Sequence, residues 1–90
     1  MNSANFIQAM VMVRYPDEEH WKGMGSKSFR VMPRIGEHIA GDDENGVSQI
    51  YRVVGVHHPL EPTVTAGDIF VVHVGDVLDE MNRLFNETQA

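Results

Sequence analysis

The chain reads as a mainly β protein, a small five-stranded antiparallel barrel or rolled sheet closed by one short C-terminal helix. Three observations lead there. Apolar and polar residues alternate with period two in "FIQAMVMVRY" (6–15), "YRVVGVHH" (51–58) and "DIFVVHV" (68–74). Glycine, proline, asparagine and serine cluster between those runs and mark turns. Helical spacing appears only in the last fifteen residues.

The first strand is expected over about 5–15. Ile7, Ala9, Val11, Val13 and Tyr15 share one face; Phe6, Met10 and Met12 share the other with Gln8 and Arg14. Its β-branched content and the Tyr15-Pro16 stop favour strand over helix. "PDEEHWKGMGSKS" (16–28) reads as a loop. A short strand is expected over 28–33, ended by Pro33, and another over 36–41 after a bend at Gly36. "GDDENG" (41–46) is a polar turn closing on Asn45-Gly46, a hairpin signal. It is not a calcium loop of the EF-hand kind, since Gly41 and Arg52 would occupy the first and twelfth positions. The returning strand spans 47–58. Keeping Tyr51, Val53, Val56 and His58 on one face requires an extra residue, so a bulge is expected at Val54-Gly55. After the loop "PLEPTVTAGD" (59–68) comes the most apolar strand, 68–75. The helix is expected over 76–87, with Asp76 as N-cap and a stripe of Val77, Leu78, Met81, Leu84 and Phe85.

Ninety residues suffice for one domain with one modest core. Apolar residues at 42% and charged residues at 22% fit a folded, soluble chain. The absence of cysteine excludes disulfides, thiolate metal sites and a thiol nucleophile. "MNSANFIQAM" lacks the basic residues of a secretory leader, and no apolar run approaches the roughly 20 residues that span a bilayer. A cytoplasmic location without membrane contact is the expectation. A net charge of −6 disfavours general binding to phosphate backbones.

No catalytic constellation stands out, and neither cofactor nor metal is expected. His57 and His58 point to opposite faces of a regular strand, so they cannot grip one ion. With the bulge, His58 faces inward at the barrel rim and His57 faces solvent. His73 shares a face with Ile69 and Val71 and is expected opposite Val53 or Val54, on the order of 10–13 Å from the pair. That separation is too long for one zinc ion.

Three surfaces compete for a function. Phe6, Met10 and Met12 form a second apolar face on the first strand, to be covered either by Leu84 and Phe85 of the helix or by a partner. With Trp21 they suggest a non-enzymatic protein-interaction module that binds another protein or forms a homodimer. The stretch 20–34 carries Lys22, Lys27, Arg30 and Arg34 without an acidic neighbour, beside Trp21 and Phe29, which suggests nucleic-acid contact as an alternative. Tyr51, His58 and His73 at the barrel rim are candidates for a small molecule or metal.

"MPRIGEHI" (32–39), "YRVVGVHH" (51–58) and "DIFVVHV" (68–74), in that order, resemble small bacterial and phage accessory proteins with SH3-like barrels. The resemblance covers residues 29 to 75 and implies a fold, with no activity attached. The long first loop and the C-terminal helix depart from the compact pattern.

Overall fold

The computed structural model describes residues 6–61 and 65–89. Thus residue 5, the expected start of the first strand, and residues 62–64 of the second loop lie outside the described residues. Five strands, β1 (Ile7–Arg14), β2 (Lys22–Phe29), β3 (His38–Asp42), β4 (Ser48–His57) and β5 (Asp68–Asp76), precede one helix, α1 (Val77–Gln89). They form one sheet in the order β2-β1-β5-β4-β3, curled into a half-barrel.

The sheet is mixed, which corrects the expectation of a purely antiparallel one. β1 runs parallel to β5, while β1–β2, β3–β4 and β4–β5 are antiparallel. β1 and β5 both carry apolar side chains on both faces, and such strands gain most in the interior of a sheet; period-two alternation does not encode the direction in which they pair. Ala9, Val11 and Val13 from β1, Ile69 and Val71 from β5, and Tyr51 and Val53 from β4 form the buried inner face. Ile69, Val11, Val53 and Val71 are its largest fully buried side chains, each worth roughly 1.5–3 kcal/mol of transfer free energy.

The second correction concerns β2. The expected strand at 28–33 is absent: residues 30–34 are bend and coil, and the strand lies at 22–29 inside the expected loop. An edge strand needs no apolar rhythm, and "KGMGSKSF" has almost none. Pairing with β1 holds it, laced by Gln8 Nε2 donating to Ser28 Oγ at 2.6 Å and Ser26 Oγ donating to Gln8 Oε1 at 3.1 Å. Its register skips Met24, since Val11 faces Gly25 and Met12 faces Gly23. This bulge, with Lys22 and Lys27, blunts an edge that could otherwise template aggregation.

The β3–β4 turn forms as the sequence requires. Gly46 has φ of 79° and donates its N–H to Asp43 O at 3.0 Å. Asp43 Oδ1 accepts from the N–H groups of Asn45 (2.8 Å) and Val47 (2.9 Å), and Gln49 Nε2 donates to Oδ2 at 3.1 Å. The Val47 and Asn45 bonds favour the ionised carboxylate and hold Asp43 below its ordinary range against a desolvation effect. The bulge in β4 is present: Val53 faces Val71, Gly55 faces Phe70 and Val56 faces Ile69, so Val54 is the extra residue. Helix α1 follows β5 without a linking residue, and Asp76 Oδ1 accepts the Asp79 N–H at 2.7 Å as its N-cap.

Candidate interaction surfaces

The helix is the part of the molecule that packs least. None of its residues is buried, and only Val77 and Glu80 are less than exposed. Its apolar residues fall within about 120° of the helical circumference. Leu78, Met81 and Phe85 remain 66%, 60% and 61% accessible, and Leu84 50%. The body of the protein receives the helix along one edge of that arc, at Val77 and Glu80. Glu80, whose side chain is 13% accessible, lies toward the sheet, near enough for His38 to help hold its carboxyl below the ordinary range. The larger cause is Arg83, which donates to Glu80 through Nε (2.9 Å) and Nη2 (2.7 Å) and also pairs with Glu87. The same pairing raises the Arg83 pKa.

The helix contacts β4 and β5. Leu84 and Phe85, exposed as they are, do not form a lid over Met10 and Met12. The outer sheet face covers itself instead. Met12 lies opposite Phe70, and Phe70 carries the Trp21 ring edge-on at 5.5 Å and the His57 ring at 4.7 Å. Met10 and Met12 are half-buried, while Phe6 and Trp21 stay exposed. A hollow of 360 Å³ opens between the start of the helix and the β3–β4 turn, lined mainly by Val47, Val77, Leu78 and Met81.

The four cations of 20–34 are dispersed. Lys22 Nζ pairs with Glu18 Oε1 at 2.9 Å, which raises its pKa, and sits 5.6 Å from the centre of the Tyr15 ring. Arg34 Nη2 pairs with Glu37 Oε2 at 3.4 Å, and Arg30 lies 5.6 Å from the Phe6 ring centre. Lys27 lies on the wall of a 310 Å³ groove between β2 and β3, floored by Val11, Met24, Phe29, Ile39 and Tyr51. Trp21 packs on Phe70, away from a shared stacking platform with Phe29, which packs against the core.

The rim trio does not converge. His73 faces Tyr51 in the β4–β5 register, two residues from Val53, because Val53 pairs with Val71 and the register runs regularly from there. His58 follows the last residue of β4 and is exposed, so the inward parity gained at the bulge ends with Val56, which packs against the core. At ~3.3 Å per residue it lies about 20 Å along the strand from Tyr51. What does assemble is Tyr15, Tyr51 and His73, with ring centres 4.9 Å (Tyr15–His73) and 5.6 Å (Tyr51–His73) apart. His73 Nε2 is bonded to Gln49 Oε1 at 2.7 Å. Burial, reinforced by its bond with Tyr15, pushes the Tyr51 phenol up to about 12. The cluster is thus held by ring contacts and by the Tyr51–Tyr15 and His73–Gln49 hydrogen bonds. Among the described residues no group of three histidine, aspartate or glutamate side chains is placed to hold a metal ion, and no helix is long and apolar enough to cross a membrane.

Sequence reasoning singled out Leu84 and Phe85 but not Leu78, Met81, Val47 and Val74, all exposed. The signal was present in the helical stripe. The missing information was which side of the stripe the linkerless β5–α1 junction turns toward the sheet. Comparison with protein families, with curated proteins and with solved structures finds no match.

Proposed function

We propose that this chain is a non-enzymatic protein-interaction module, an accessory protein whose working surface is the apolar face of α1. One observation carries the reading: a capped helix presents Leu78, Met81 and Phe85 to solvent while a charged residue, Glu80, faces the body. An amphipathic helix that served only its own core would be turned the other way. The sheet's inner face supplies the stability, and the helix is carried by it as a display element. The resemblance to small bacterial and phage accessory proteins belongs to this reading, with the curled five-stranded sheet as a variant of an SH3-like barrel and the cytoplasm as its location.

The test is site-specific photo-crosslinking. A benzophenone side chain at position 78 is expected to give a discrete adduct, whereas the same group at position 86, on the polar side of the helix, gives none. Equal behaviour at the two positions, with or without adducts, removes the interaction reading.

A further inference from the structure

The partner of the helix can be specified from the helix itself. Met81 sits midway along the stripe, three residues after Leu78 and four before Phe85. A two-fold axis through Met81 sets Met81 against its own copy and Leu78 against the Phe85 of the second chain, so the stripe is self-complementary. Beside Leu78 lies the hollow lined by Val47, Val77 and Met81; its 360 Å³ leaves room for the incoming Phe85 ring. The charged residues Asp79, Glu80, Arg83 and Glu87 all lie outside the apolar arc, and Asp76, which borders the hollow, has its carboxylate engaged by the Asp79 N–H at the positive end of the helix. With Val47 and Leu84 added, the exposed apolar surface is on the order of 500 Å², the upper end of what a monomer displays. Its polar rim brings it toward the roughly 800 Å² per partner of a stable interface. The competing sites for self-association, the β2 and β3 edges, are blunted by a bulge, two lysines and a five-residue length. A thirteen-residue helix with no buried residue is also marginal in water, and a second copy supplies the packing it lacks.

We propose that α1 docks antiparallel on α1 of a second copy about a two-fold axis at Met81, with each Phe85 seated in the other's Val47–Leu78 hollow. The proposal rests on the interaction reading above and names its partner. Because both copies carry a net charge of −6, added salt screens their repulsion and strengthens the dimer.

Sedimentation or light scattering on the full chain decides it. The wild type should have twice the 10.1 kDa chain mass. Met81→Glu and Met81→Lys, both good helix formers, should each weaken association about thirty-fold or more. Their circular dichroism, measured alongside, should keep the strand signal. An equimolar mixture of the two should dimerise again, since the opposite charges meet at the axis, while Asn86→Lys should leave the mass unchanged. A wild type that stays at 10.1 kDa, or a dimer indifferent to both Met81 variants, overturns the second-copy proposal. So does a failure of the mixture to recover. A position-78 crosslink to a different protein likewise ends the second-copy proposal while leaving the interaction reading intact.

Discussion

The inner face of the sheet and the outer face of the helix are built from similar residue types and sit in opposite environments. Val11, Val53, Ile69 and Val71 are fully buried where β5 pairs with β1 on one side and with β4 on the other. Leu78, Met81 and Phe85 keep most of their surface in solvent within one chain. The difference is topological. A residue of β1 or β5 is walled by a strand on each side and by the curl of the sheet. A helix joined directly to β5 has no linker with which to swing its stripe onto that sheet. Hydropathy alone therefore does not separate a core from an interface; the connection between elements does.

The contrast is sharpest under truncation. Ile69→Ala should cost about 2–5 kcal/mol of unfolding free energy, because the cavity lies where the sheet cannot collapse. Leu78→Ala, removing as much hydrocarbon, should stay within about 0.5 kcal/mol at dilutions where the chain is monomeric. Urea unfolding of the two variants side by side checks this, and equal losses would erase the distinction between the two faces.

Next in size is Gly67→Ala. Gly67 has φ of 147°, and an added Cβ would lie 2.2 Å from the carbonyl oxygen of His57. Its own carbonyl accepts the Met10 N–H at 3.0 Å, so the strain falls where β1 meets β5. A loss of about 1–3 kcal/mol is expected, read as a lower melting temperature. Asp76→Ala should cost about 1 kcal/mol of helix stability by removing the cap. Faster amide exchange confined to 77–89, with β1 and β5 unchanged, would mark the helix as a separate unit from the sheet.

The pH dependence divides the molecule in the same way. Tyr51 holds its proton more tightly folded than unfolded, so its contribution is complete below pH 10 and is lost as pH rises from 10 toward 12. Glu37, Asp43 and Glu80 have lowered values, so their contributions are present at neutral pH. Those contributions fade as pH falls below the ordinary 4.5, 3.8 and 4.5 through the folded values. The difference in tyrosinate absorbance between the wild type and Tyr51→Phe, rising only with unfolding at high pH, checks the first. Tyr51→Phe should flatten that limb and leave the acid limb untouched.

How much of this was legible in the sequence follows the same division. β1, β4, β5, the Asn45-Gly46 turn, the Val54 bulge and the Asp76 cap were readable, because each rests on local rhythm or on one residue's chemistry. β2 was not, since an edge strand of glycine, serine and lysine is held by its neighbour and carries little pattern of its own. Strand direction was also hidden. Alternation tells which face a residue takes and is silent on which strand lies beside it, so the β1–β5 pair could not be foreseen. Among candidate site residues, Leu84 and Phe85 lie on the exposed helical stripe. His58 was misplaced because parity was carried one residue past the end of β4.

The parallel pairing at the centre of the sheet also dictates a timetable. Met10 faces Asp68, 58 positions later in the chain, so the middle of the molecule joins its beginning to its end. The β1–β2 and β3–β4 hairpins can close as soon as each emerges during synthesis, but neither buries the shared face. Ile69 and Val71 complete that face, and they leave the ribosome after every other residue of it. Until then a nascent chain holds two half-made sheets with their oily sides uncovered, and a holding chaperone would find its client there.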